Sequence, residues 1–165
     1  MKSYLANGLF SLGDRRFNEF IAESIREALP GIDLYVPQEN DSINNKSVYA
    51  SSQEITKADL ERLVESDFLV AIIDGVEIDS GVSAEIGYAS AKGIPVLALY
   101  TDVRQQGTDN SSKIEMLKLD PVENQFAYRN LFVVGLIKLN GKIFNSLPKF
   151  VDYLKNGELK KYGIS

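Results

Sequence analysis

The sequence contains neither cysteine nor histidine. Their absence rules out disulfides, thiolate metal ligands and a cysteine nucleophile, and it takes the usual parts from zinc sites and serine–histidine catalysis. Acid–base chemistry is left to Asp, Glu, Tyr or Lys. A basic stretch followed by an apolar run is missing near the start, and no segment approaches the roughly 20 apolar residues that span a bilayer. The expectation is a cytoplasmic protein without a membrane partner. An excess of positive charge is also lacking: the formal net charge is -5 and the pI is near 4.8. Binding a polyanion needs a clustered basic face. The one basic cluster, Lys160-Lys161, reads as a solvated tail, so a nucleic-acid polymer is not an expected partner.

The glycine patterns of phosphate cradles are absent as well. Asn7-Gly8 continues as Leu9-Phe10-Ser11 without a GxGxxG, and no GxxxxGK[ST] occurs. No cofactor held through its phosphates is therefore expected, and no metal. With 165 residues, of which 44% are hydrophobic, the chain is long enough for one domain, residues 1–165, with a substantial core.

Apolar runs bounded by turn residues alternate with stretches of helical period, the pattern of strands joined by crossover helices. Tyr4-Leu5-Ala6 reads as a first strand, ending at Asn7-Gly8. Phe17, Phe20, Ile21, Ile25 and Leu29 recur at helical spacing until Pro30-Gly31 stops them. Leu34-Tyr35-Val36 is a short second strand, followed by a polar stretch from Gln38 to Ser51. That stretch reads either as a loop able to fold over a site or as disorder. Ile55, Leu60, Leu63 and Val64 mark the buried face of a helix capped near Ser52. Phe68–Ile73 is a continuous apolar run suited to a central strand covered on both faces. Asp79-Ser80-Gly81 opens a helix with Val82, Ile86 and Ala89 on one face, and Pro95–Tyr100 is a fourth strand before a polar loop from Thr101 to Ser112. Leu131–Leu139 is apolar but leaves helix and strand open, and Leu147, Phe150, Val151 and Leu154 mark a closing helix. The whole predicts a three-layer α/β domain, flavodoxin- or Rossmann-like, with about five parallel strands and helices on both faces.

In such sheets ligands bind beyond the carboxyl ends of the strands. That rule selects Asn7-Gly8, Pro37-Gln38, the segment from Asp74-Gly75 through Glu85, and the loop after Tyr100. Glu85 stands in the first turns of its helix beside the small residues Gly81, Ser83 and Ala84, which let a ligand approach closely. A helix amino end favours negative charge by roughly 0.3–1 kcal/mol, so Glu85 is expected to be ionised. Acidic residues are equally at home in first turns simply as helix stabilisers, and Asp79 also suits an N-cap.

Tyr4-Leu5-Ala6-Asn7-Gly8-Leu9-Phe10, Ala58-Asp59-Leu60 through Ser66-Asp67, and above all Asp74-Gly75 followed by Asp79-Ser80-Gly81-Val82-Ser83-Ala84-Glu85-Ile86-Gly87-Tyr88-Ala89 resemble the nucleoside 2-deoxyribosyltransferases. The third stretch is the most specific, since two carboxylates and the glycines stand together at fixed spacing. By that resemblance Glu85 attacks the anomeric carbon of a 2'-deoxynucleoside, expels the base and forms a glycosyl-enzyme ester that a second base resolves. Asp59 protonates the departing base and deprotonates the arriving one; its alternative is an exposed helix carboxylate. Asp79 bonds the C5' hydroxyl. Related 5'-monophosphate N-hydrolases carry serine at that place, and a carboxylate repels phosphate, so a free nucleoside is the implied substrate. Tyr4 steadies the nucleophile or is a core aromatic. Gly8 lines the substrate, Phe10 stacks on the base or packs a helix, and Gln38 meets the base edge or is a loop amide. Asn140, before Gly141, is lent to a neighbouring subunit's site or forms a turn. The implied partners are purine or pyrimidine 2'-deoxynucleosides and free bases, in a homo-oligomer with shared sites. Two rival activities fit the same residues: an N-glycoside hydrolase using water, and a non-catalytic nucleoside- or nucleotide-sensing domain.

Overall fold

The run Phe68–Ile72 (β3) is buried at every residue because it is paired on both edges. On one side lies β1 (Lys2–Ala6), with Leu69 opposite Tyr4, and on the other β4 (Val96–Leu99), with Ala71 opposite Ala98. In the computed structural model, which describes residues 1–44, 47, 49–119 and 129–164, β2 (Asp33–Tyr35) and β5 (Gly141–Phe144) complete a parallel sheet of order β2-β1-β3-β4-β5. The described helices are α1 (Leu12–Ala28), α2 (Asp41–Asn44), α3 (Ser52–Val64), α4 (Ser80–Ala91), α5 (Ser111–Leu119), α6 (Leu131–Leu139) and α7 (Leu147–Lys155). None is long and apolar enough to cross a membrane.

Alternation along the strands divides the core into two layers. Leu5, Val70, Ile72, Leu97 and Leu99 face α1 and α7, where they meet Ile21, Ile25, Phe150 and Leu154. Tyr4, Leu69, Ala71, Val96 and Ala98 face the other way, onto Leu63 of α3, Ile86 of α4 and Ile137 of α6. This is the predicted three-layer arrangement. The chain winds from β1 outward to β2 and then returns past β1 to β3, so the order reverses between β1 and β3, where open α/β sheets bind ligands.

Several local expectations change. Leu131–Leu139 is helix throughout, and the fifth strand is the next segment, Gly141–Phe144. In α3 only Leu63 is buried, while Ile55 and Val64 are exposed, because this helix meets the sheet along a narrow stripe. Its N-cap is Ser51, in a capping box with Glu54. Phe20 of α1 is exposed and the buried polar residue of that helix is Asn18. The stretch from Gln38 contains a short 3-10 turn (37–39) and α2, with Asn45, Lys46 and Val48 outside the described residues. The polar loop after β4 holds a 3-10 turn at Val103–Gln105 and leads into α5 at Ser111. Lys160-Lys161 is solvent-exposed as expected, and it is ordered: it lies in a 3-10 turn, with the Lys161 ammonium 4.8 Å over the Tyr162 ring and 5.1 Å over that of Tyr153.

At the junction of α6 and β5 the backbones of two elements nearly touch. A Cβ on Gly141 would stand 2.0 Å from the Val96 carbonyl oxygen and 2.8 Å from that of Ile137. Gly141→Ala is expected to destabilise the fold by about 1–3 kcal/mol, read by denaturant unfolding, since the obstruction is backbone and has no rotamer to yield.

Candidate active site

The parallel register sets Tyr4 of β1 directly beside Tyr35 of β2, on the face covered by α3 and α4. Their rings stand 5.2 Å apart at 44°. Each hydroxyl reaches a carboxyl group on a different helix. The Tyr4 hydroxyl donates to Glu85 Oε1 of α4 at 2.5 Å, and the Tyr35 hydroxyl donates to Asp59 Oδ1 of α3 at 2.9 Å. Two tyrosines thus join the two helices that carry the expected nucleophile and acid–base group.

The residue count along α4 changes the expectation for Glu85. Asp79 is the N-cap and Ser80 the first helical residue, so Glu85 is in the second turn, past the free N–H groups that favour an anion. Burial dominates instead. It pushes the Glu85 carboxyl up from its ordinary 4.5 to about 7, helped by the nearby charges of Asp59 and Asp79 and opposed by the Tyr4 hydrogen bond. Glu85 is therefore poised between its two protonation states near neutrality, where the sequence suggested a plain anion. Burial also lifts Asp59 above its usual range, against the pull of the Tyr35 hydroxyl. Tyr4 itself is fully buried and held well above its ordinary value, first by burial and then by Glu85, so it stays a hydrogen-bond donor. Among the described residues neither Glu85 nor Asp59 is in an ion pair, each bonds through one oxygen only, and Glu85 Oε2 and Asp59 Oδ2 have no protein partner.

The remaining expected residues divide. Asp79 is exposed at the head of α4, its Oδ1 accepting from the backbone N–H groups of Gly81 and Val82 at 2.8 and 3.1 Å; it is the N-cap, with Oδ2 turned to neither. Gly8 lies at the end of β1, where its carbonyl accepts from Asn18 Nδ2 at 3.0 Å. Gln38 is buried beside it, accepting from Asn18 Nδ2 at 2.9 Å and donating to the Arg15 carbonyl at 3.1 Å. One lone pair of its Oε1 and one Nε2 hydrogen are used, which leaves the second lone pair and the second N–H for a base edge. Phe10 is 82% exposed just beyond, before α1. Asn140 is at the opposite, amino-terminal edge of the sheet, donating to the Gly93 carbonyl at 2.9 Å, and is not brought to Glu85 of its own chain.

Three framing residues escaped the sequence reading. Tyr35 looked like one more strand aromatic; its polar tip at the carboxyl end of a strand was the available signal. Asn18 was legible as a polar residue on the apolar face of α1, where it links Asn7, Gly8 and Gln38. Arg129 gave no signal. Its buried guanidinium donates to the carbonyls of Ile73, Gly75 and Val76 and pairs with Asp102, lying 4.8 Å over the Tyr100 ring. With Asp74, which accepts from the Thr101 N–H and hydroxyl at 2.6 and 2.5 Å, it fastens the β3–α4 loop to the loop after β4. Among the described residues no group of His, Cys, Asp or Glu is placed to hold a metal ion.

Comparison with known proteins agrees with this fold. Residues 3–124 match the sequence profile of the family described as nucleoside 2-deoxyribosyltransferase. A solved structure of a conserved protein from Enterococcus faecalis V583 is 52% identical over 95% of this chain and 98% of that one, with a TM-score of 0.88. A 2-deoxyribosyltransferase from Bacillus psychrosaccharolyticus shares the fold at 20% identity, covering 93% of this chain and 92% of that one, TM-score 0.65. One from Leishmania mexicana does so at 18% identity, covering 93% and 97%, TM-score 0.58. No functionally curated protein matches the sequence.

The buried carboxyl has a thermodynamic signature. Because the folded-state pKa of Glu85 lies above its unfolded value, its contribution to stability is present in full below about pH 4.5 and is lost as pH rises through about 7. Glu85→Gln keeps an acceptor for Tyr4 but has nothing to titrate. Thermal melts should show the variant gaining on the natural protein between pH 5 and 8, by on the order of 1–3 kcal/mol; parallel curves would refute the buried titration.

Proposed function

Since the chain belongs to the nucleoside 2-deoxyribosyltransferase family, we propose that it transfers 2-deoxyribose from one nucleobase to another by double displacement at Glu85. The observation that carries this reading is the 2.5 Å bond from the buried Tyr4 hydroxyl to Glu85 Oε1, which fixes one carboxyl oxygen and leaves Oε2 to act. Ionised Glu85 attacks C1' through Oε2 as the bond to the base breaks. The electron pair of that bond leaves with the base, which takes a proton from Asp59. The deoxyribosyl ester then meets a second base, whose ring nitrogen attacks C1', frees Glu85 and returns a proton to Asp59. Two inversions give retention.

The Asp59 charge raises the Glu85 carboxyl, so Glu85 ionises more readily when Asp59 carries a proton. The reactive form has that proton on Asp59. Asp79, with Oδ2 unengaged by the cap, is suited to the C5' hydroxyl, and its charge disfavours a 5'-phosphate. Exposed Phe10 offers a face for the base, and Asn140 offers an amide to a neighbouring copy's site rather than its own. The substrates are 2'-deoxynucleosides and free purine or pyrimidine bases.

Incubation with deoxyinosine and adenine is expected to yield deoxyadenosine and hypoxanthine with little free sugar. Without an acceptor, mass spectrometry should find a deoxyribosyl adduct on the peptide holding Glu85. Glu85→Ala should lose exchange by about a thousandfold or more and lose the adduct altogether. Free sugar released at an undiminished rate in the presence of adenine would overturn transfer in favour of hydrolysis, and ligand binding with neither product would favour a sensor.

A further inference from the structure

Tyr35 is held from several directions. Its ring packs on Tyr4, and the Arg62 guanidinium, itself paired with Asp33 at 2.6 Å, lies 5.2 Å over its face. At its tip, Asn40 Nδ2 donates to the hydroxyl oxygen at 2.9 Å. The orientation of the Asn40 amide is fixed, because its Oδ1 accepts from the N–H and hydroxyl of Ser42 at 3.2 and 2.6 Å. A phenol has one proton to give. With Asn40 donating into its oxygen, that proton goes to Asp59 Oδ1, 2.9 Å away.

This settles which oxygen of Asp59 can work. While Oδ1 accepts from Tyr35, a proton taken up by Asp59 resides on Oδ2, the oxygen without a partner among the described residues. We propose that Tyr35 is a positioning residue for the acid–base group, its hydroxyl occupying Oδ1 of Asp59 so that the proton exchanged with the nucleobase travels on Oδ2. The Oδ2–H bond breaks as the departing base gains an N–H, and the reverse transfer from the incoming base restores it. Asn40 belongs to the segment that leads into α2, so the acid–base group is tied through Tyr35 to the chain that follows β2. The inference rests on the reading of Asp59 as the group that exchanges a proton with the base.

Among the described residues the ionisable groups around Asp59 are Glu85 on α4, Tyr4 on β1, Tyr35 on β2 and Arg62 one turn along α3, with Asp79 acting on Glu85. The Tyr35 bond favours the Asp59 anion and so opposes the upward push of burial. Removing the hydroxyl therefore moves the Asp59 titration to higher pH.

Tyr35→Phe keeps the ring and its packing and removes the hydroxyl alone. Exchange from deoxyinosine, whose base must leave protonated, is expected to fall about tenfold or more in kcat with little change in KM. Departure of 4-nitrophenoxide from its 2-deoxyriboside, which needs no proton, should be nearly unaffected. Asp59→Asn should show the same selectivity with a larger loss, about a hundredfold or more on deoxyinosine. Carbon-13 titration of the Asp59 carboxyl supplies a readout independent of any substrate, with the midpoint in Tyr35→Phe above that of the natural protein. An unmoved midpoint, or equal losses on both substrates in Tyr35→Phe with Asp59→Asn selective, overturns the role of Tyr35 and leaves Asp59 in place. Equal losses in Asp59→Asn overturn the acid–base reading itself, and the role of Tyr35 with it.

Discussion

The hydrogen bond from Tyr4 to Glu85 is the constraint around which the site is arranged. Glu85 is buried enough that desolvation pushes its pKa to about 7, and the Tyr4 hydroxyl is the protein group that pulls it back. Without that donor the carboxyl would be more firmly neutral and less suited to the nucleophilic role proposed for it. With charged donors in its place it would be firmly anionic and too well stabilised to attack. A phenol kept protonated by its own burial stands between these limits: it aligns one oxygen, lends modest stabilisation and leaves the second oxygen free.

That bond needs the sheet. Tyr4 has no exposed surface because β1 is flanked by β2 and β3 and covered by α3 and α4. The same register that buries it places Tyr35 alongside, so two neighbouring strands send matched hydroxyls to carboxyls on two helices. A one-residue slip of β2 would turn Tyr35 to the opposite face and leave Asp59 without its donor. At the amino end of α4, the β3–α4 loop that leads to Asp79 is fastened by Arg129 and by its own Asp74. The chemistry of the site is thus carried by side chains on rigid elements, and its edges by a small number of buried polar clamps.

Much of this was legible in the chain. The apolar run at Phe68 reads as a doubly covered strand and is one, the turn residues beside it mark the end of the sheet where such folds bind ligands, and Asp79 reads as a cap and is one. Periodicity failed where a short segment had little to distinguish it. Gly141–Phe144 is a four-residue strand with a lysine in it, and the apolar helix before it drew attention away. For Glu85 a helix-end argument is incomplete, because burial, invisible in sequence, lifts the carboxyl to about 7 and outweighs a fraction of a kcal/mol from the helix dipole. Tyr35 and Arg129 act through register and long-range contact, 24 residues to Asp59 in one case and more than 50 to the β3–α4 loop in the other. No local pattern announces Arg129, and Tyr35 has only its place at the carboxyl end of a strand.

The central claim is that a half-buried carboxyl at Glu85 titrates near neutrality under the hand of a single tyrosine. Selective carbon-13 labelling of glutamate side chains, with Glu85 assigned by its loss in Glu85→Gln, measures this directly. The account predicts a Glu85 midpoint near 7 that rises further in Tyr4→Phe. A midpoint in the ordinary carboxylate range, unmoved by removal of the Tyr4 hydroxyl, would contradict it.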